Sequence, residues 1–297
     1  MSLPPPAENQ PFCDVSVLDA GSVVVPLAWI LQGASDDDRI KSPALSFLLR
    51  HSANGDTFLF DLGIPKDWQE TLPPGLIKRV TTTLKFEISV EQDAVEALAK
   101  GGMQPADIAK VCISHLHFDH IGDPARFTTA QFLLGAAGRQ FILNGYPENP
   151  SGVVASALLP AGRTTFLDPA SWPALGPFPH ALDLYGDGSL YIVDAGKGHM
   201  PGHLNVLART SADGGWVYLA GDSAHHWSLI TGEGKIARHC VFGCAHVDVE
   251  EEEAHLARLR MLLEKNPRVK MILAHDQAWY EENKGGPAFF PGKLASL

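Results

Sequence analysis

The apolar positions along this chain come mostly in short blocks bounded by turn residues, a pattern that predicts strands rather than helices. Residues 44–49 and 57–60 read as two strands joined by the turn Asn54-Gly55-Asp56. Residues 111–113, 131–134, 190–193, 216–220 and 269–274 continue the series, and 15–31 mixes shorter β-like runs with Gly21 and Pro26. Two segments carry a helical period instead. Val90, Ala94, Val95 and Leu98 share a face, with Ser89 and Gln92 placed as a capping box and Gly101 as the stop. Ala254, Leu256, Leu259, Leu262 and Leu263 share another, opened by Asp248 and Glu251 and closed by Asn266-Pro267. Residues 64–88 hold Trp68, Pro73, Pro74 and Phe86 without periodicity and read as a long loop near a site. Residues 144–175, rich in Gly, Pro, Ser and Ala, read as a lid or wall of a pocket.

Strands alternating with helices over 297 residues predict one α/β domain, residues 12–297, behind a Pro-rich, loosely ordered arm at 1–11. Against 34 acidic residues stand 23 basic ones, for a formal charge of −11, and no basic run offsets it. Phosphate electrostatics therefore disfavour a nucleic-acid partner. The beginning of the chain has neither the basic nor the apolar region of a signal peptide, and no apolar run reaches membrane-spanning length. Cys13, Cys112, Cys240 and Cys244 are too few and too scattered for a disulfide framework. These features together predict a cytoplasmic protein without a membrane partner; a homodimer is left open.

The chemistry concentrates after the apolar run 111–113. His115, His117, Asp119 and His120 fall within six residues, HLHFDH. Positions i and i+2 do not share a helix face, so the cluster belongs to a loop leaving a strand. Three further blocks end in a candidate ligand: 190–193 leads to His199, 216–220 to Asp222, and 269–274 to His275. Side chains at strand ends, carried on loops, are where α/β folds build sites. Imidazoles with carboxylates suit zinc, and also iron, cobalt or manganese. The stretch HCVFGCAH (His239 to His246) lacks a usual zinc spacing and reads as core and surface residues.

HLHFDH fits the His-x-His-x-Asp-His signature of the metallo-β-lactamase fold, and His199, Asp222 and His275 follow in that superfamily's order. Within it the chain most resembles the quorum-quenching N-acyl-homoserine lactone lactonases, in Ser114 to His120, the Pro-Gly-His stretch and Ala274-His275-Asp276. The resemblance implies an αββα sandwich, with two central mixed sheets flanked by helices. It implies two divalent metal ions, zinc foremost: His115, His117 and His199 on the first, Asp119, His120 and His275 on the second, and Asp222 bridging. Asp61 and His203 would support these ligands from behind. A hydroxide bridging the metals would open a lactone ring, with Asp119 carrying the proton; the chain has no Gly-x-Ser-x-Gly nucleophile elbow. Where those lactonases place a carbonyl-contacting tyrosine, this chain has His225, expected to donate a hydrogen bond to the oxyanion. Phe118, Trp68, Phe86 and Trp227 are expected to wall a pocket for a small lactone or ester. The alternatives keep the metals: a thioesterase of the glyoxalase II or acyl-carrier-protein type, or a metal-bound scaffold without turnover.

Overall fold

Strands covered on both faces need apolar side chains on both, and the chain supplies them. In the computed structural model, which describes residues 2–297, Leu45, Phe47 and Leu49 of one strand enter one apolar layer, while Ala44 and Leu48 between them enter another. The first layer also receives Phe58 and Phe60 from a neighbouring strand and Ile192, Leu204, Val206 and Leu219 from a second sheet, so it lies between two sheets. The other layer gathers the outward faces and the helices that cover them, Leu256, Leu259 and Leu262 among them.

The first sheet holds seven strands: β1 (Cys13–Pro26), β2 (Arg39–His51), β3 (Thr57–Phe60), β4 (Glu87–Ser89), β5 (Lys110–Ile113), β6 (Gln131–Gly135) and β7 (Thr164–Leu167), in the order β4-β1-β2-β3-β5-β6-β7. The second holds β8 (Ala181–Asp183), β9 (Leu190–Gly196), β10 (His203–Arg209), β11 (Trp216–Leu219) and β12 (Val269–Ile272), in the order β12-β11-β10-β9-β8. Both sheets are mixed. Pairs β3/β5, β5/β6 and β6/β7 are parallel in the first sheet, as is β11/β12 in the second, and the other pairs are antiparallel. With helices outside, this is the αββα sandwich.

The parallel pairing gathers the polar strand ends. It turns the ends of β3 and β5, and those of β11 and β12, toward the same edge. Asp61 follows β3, the HLHFDH cluster follows β5, Asp222 follows β11 and His275 follows β12.

Several local expectations change. Residues 15–31 are mainly one strand, β1, which continues through a register shift between Asp19 and Ser22. The helix after β4 is Ala94–Lys100, and its cap is Asp93, whose carboxylate accepts from the Glu96 backbone in a capping box, not Ser89 with Gln92. A carboxylate beside the helix N-terminus prevails over a hydroxyl four residues earlier. Residues 64–88 are not a plain loop: they include helices Trp68–Thr71 and Pro74–Lys78 and a π-turn at Arg79–Thr83. On helix Val249–Lys265 the buried face carries Glu252 and His255 beside Leu256, Leu259 and Leu262, while Ala254 is exposed. The 1–11 arm is tied down from Leu3 onward: the Leu3 N–H donates to Asn266, and buried Arg209 donates to the carbonyls of Pro4 and Pro5. Met1 lies outside the described residues. Among the described residues no helix is long and apolar enough to cross a membrane.

Candidate metal centre

Five strand ends converge on one buried polar centre. Nε2 of His115, Nδ1 of His117 and Nε2 of His199 stand 2.9 to 3.0 Å apart. Asp222 Oδ2 lies 3.4 Å from His199 Nε2 and 3.7 Å from His115 Nε2. Its other oxygen, Oδ1, is 3.2 Å from His120 Nε2 and 3.4 Å from His275 Nε2. Asp119 Oδ2 completes that side at 3.4 Å from His275 Nε2. Two groups of donors thus share one carboxylate.

The residues behind fix which ring nitrogens face inward. His120 Nδ1 donates to Asp61 Oδ2 at 2.8 Å, and His275 Nδ1 to the Pro43 carbonyl at 2.7 Å, so once either ring gives up its second proton the lone pair lies on Nε2, facing the centre. Asp61 holds a left-handed φ of 61°, tolerated because its carboxylate accepts from the Ser114 N–H at 2.6 Å and from the Ser114 hydroxyl at 2.7 Å. His203 Nε2 accepts from the Asp222 backbone N–H at 3.3 Å. Gly221 before it has a φ of 49°, and a Cβ there would stand 2.6 Å from that same nitrogen. Ser223 is tied in turn to His255 (3.0 Å) and Asn205 (3.1 Å) under helix Val249–Lys265.

Electrostatics divide the two groups. Burial, reinforced by the neighbouring imidazoles, holds His115 and His199 well below the usual histidine range, and burial brings His117 down to about 4. In the other group burial also opposes charge, but Asp222 and Asp61 outweigh it at His120 and hold its proton well above the ordinary range. Asp222 and Asp119 do the same at His275, pushing it up to about 10. That side therefore demands positive charge. His120 Nε2 and Asp222 Oδ1 are buried and, though 3.2 Å apart, are misaligned for a hydrogen bond, so neither has a partner among the described residues. Unpaired buried polar atoms are costly. Inward lone pairs, crowded imidazoles and shared carboxylate oxygens fit divalent cations.

The centre forms the floor of a cavity of about 230 Å³ with a mostly apolar wall. A larger groove, about 1030 Å³, runs along β1 and the C-terminal segment and holds none of these ligands. Phe118 and Phe86 line the cavity; Trp68 and Trp227 do not. Trp68 packs half-buried against the core, and Trp227 donates its indole N–H to Asp276 Oδ2 at 2.8 Å. The aromatic in their place is Trp29, edge-on to Phe86 at 5.1 Å and to His225 at 5.4 Å. Residues 64–88 give the wall Leu76, Arg79, Val80, Leu84 and Phe86, whereas residues 144–175 give it Val153 alone.

His225 does reach the cavity, stacked on His275 at 5.7 Å. Its Nε2, however, donates to Asp222 Oδ2 at 3.1 Å. Burial lowers its pKa, and a neutral imidazole has one N–H, which is spent there. The expected hydrogen bond from His225 to an oxyanion would need that N–H to be released from Asp222. His246, which by spacing belongs to core or surface, lies beside the centre, its ring 5.2 Å from that of His199 and 5.3 Å from that of His225. Behind it sits fully buried Glu252, with Oε2 3.5 Å from His246 Nδ1. The one sequence signal for this pair is Glu252 falling on the apolar stripe of its helix.

The sequence pattern of the metallo-beta-lactamase superfamily matches residues 40–137. The gamma-lactamase FDB1 of Fusarium pseudograminearum is 33% identical over 238 residues, 75% of this chain and 57% of that protein. The gamma-lactamase MBL2 of Gibberella moniliformis is 36% identical over 172 residues, 57% of this chain and 70% of that one. Among solved structures, an N-acyl homoserine lactone hydrolase with its product at the catalytic metal centre superposes with a TM-score of 0.72 at 17% identity, covering 99% of this chain and 100% of the other. The chain belongs to the metallo-beta-lactamase superfamily. It spans somewhat over half the length of the Fusarium relative.

Proposed function

We propose that this protein is a metal-dependent hydrolase that opens a small lactone ring bearing an apolar tail, similar to an N-acyl-homoserine lactone. The observation that carries the reading is a single carboxylate, Asp222, shared by two buried donor groups at the floor of an apolar cavity. His115, His117 and His199 would hold one divalent ion and Asp119, His120 and His275 the other, zinc being the natural occupant of such donors. When bound, the pair supplies an acidified water and polarises the acyl oxygen.

The protein's own groups do the rest. Asp119 lies on the cavity floor and turns Oδ2 toward His275. This leaves Oδ1 to take the proton of the attacking water and pass it to the ring oxygen as the acyl bond breaks. His225 holds the orientation of Asp222 through its Nε2 hydrogen. Trp29, Phe86 and Phe118 shield the floor from bulk water and accept the tail.

A second ring chemistry is favoured by one observation: two relatives at 33% and 36% identity are gamma-lactamases. A γ-lactam needs the same attack but a better proton supply, since an amide nitrogen leaves poorly without one. The test is a panel of γ-lactone, γ-lactam and thioester with one common tail, run on protein of measured metal content. Lactone turnover at least about tenfold above the others, ~1.4 kcal/mol in the barrier, is expected. A γ-lactam ahead by that margin hands the reading to the lactam. A thioester ahead by as much, or turnover undiminished after chelation, overturns the proposal.

A further inference from the structure

Apart from the metal-centre residues and His225, the side chains lining the cavity are uncharged, with one exception. Arg79 stands at the exposed rim, and among the described residues its guanidinium has no carboxylate within ion-pair distance. The local backbone fixes its place. Arg79 opens the π-turn Arg79–Thr83, in which the Leu84 N–H reaches the Arg79 carbonyl at 3.0 Å. Such turns are rare, and they occur often at functional sites. The same segment supplies Leu76, Val80 and Leu84 to the wall, so Arg79, the exposed residue among them, sits where the apolar wall meets water. The chain as a whole carries −11 and repels anions at long range, which makes an unpaired cation at this mouth a short-range exception.

We infer that the cavity selects substrates whose apolar body ends in an anionic group, and that Arg79 holds that group in a forked, charge-assisted contact. This deepens the lactone reading and rests on it. The bland counterpart is an arginine stem that merely covers apolar surface. The two differ in their dependence on substrate charge.

The test compares metal-loaded wild type, Arg79→Gln and Arg79→Lys on two γ-lactones with the same alkyl tail, ending in methyl or in carboxylate. Wild type should favour the carboxylate tail about fivefold in kcat/KM, chiefly through KM, as fits an exposed charge pair. Arg79→Gln should bring the ratio to about one, Arg79→Lys should restore part of it, and high salt should shrink it. An equal ratio in wild type and Arg79→Gln overturns the inference. If neither lactone turns over, the ring chemistry is what has failed. Arg79 is then judged by calorimetric binding of octanedioate against octanoate: the metals can take one carboxylate of either, and only the diacid has another for the rim. A diacid advantage lost in Arg79→Gln supports the inference, and equal binding sinks it.

Discussion

The two donor groups that share Asp222 are built from different chemistry. On the Oδ2 side stand three imidazoles, His115, His117 and His199, which burial keeps neutral, helped at His115 and His199 by the neighbouring rings. On the Oδ1 side stand His120 and His275, surrounded by Asp61, Asp119 and Asp222 and drawn strongly toward the protonated state. The first group offers lone pairs and little net charge; the second gathers positive charge even from protons. A cation entering the second group displaces protons, whereas one entering the first completes a set already neutral. The two positions should therefore separate in affinity and in pH response, although one carboxylate joins them.

Removing the shared carboxylate tests that joining and has the largest expected effect. Asp222→Ala should lose both metal equivalents by elemental analysis and leave about 1% of wild-type turnover or less, because water activation depends on the ions. His115→Ala should lose one equivalent first. If Asp222→Ala keeps a full complement of metal, the groups are independent and the bridging assignment is wrong.

Asp61→Asn sharpens the comparison from behind. Asp61 takes the His120 Nδ1 hydrogen and anchors Ser114, and it has no bond to the His117 or His199 ring. Loss of such an oriented partner typically costs about 10- to 100-fold in metal affinity. Chelator competition should show that loss in one of two steps. Equal weakening of both steps would mean that the HLHFDH loop responds as one unit.

How much of the site is legible in the sequence depends on whether backbone position alone fixes the side chain. The ligands can be read because each follows a strand end, and parallel pairing brings the ends of β3 with β5 and of β11 with β12 together; β9, which leads to His199, reaches the same edge through two antiparallel pairings, by way of β10 to β11. Asp61 is legible for the same reason. The wall is not. Trp68 and Trp227 lie near ligands along the chain, but their side chains turn to the core and to Asp276, while Trp29 enters from just beyond β1. Which way a side chain turns at the rim is decided by contacts far apart in sequence. Glu252 and His255 escape for a related reason, since a search for apolar faces passes over polar residues on them. The hydrogen bond between His225 and Asp222 is likewise one that no spacing reveals.

The smallest effect, and the most direct check on the asymmetry, is the pH dependence of stability in metal-free protein. His275 has a folded pKa near 10, above the ordinary histidine value of 6.5. The native state then holds an extra proton between those values. The stabilisation is complete below pH 6.5 and is lost as pH rises toward 10. For His117 the sign is reversed. Its folded pKa near 4 lies below 6.5, so the unfolded chain binds the extra proton, and stability falls as pH drops from 6.5 toward 4. Chelated wild type should therefore melt highest near pH 6.5, with Tm declining by a few degrees on each side, since ~1 kcal/mol shifts Tm by about 2–4 °C in chains somewhat smaller than this one. His275→Ala should flatten the alkaline limb and His117→Ala the acid limb. Both limbs unchanged in the two variants would mean that the donor groups do not differ in charge as described.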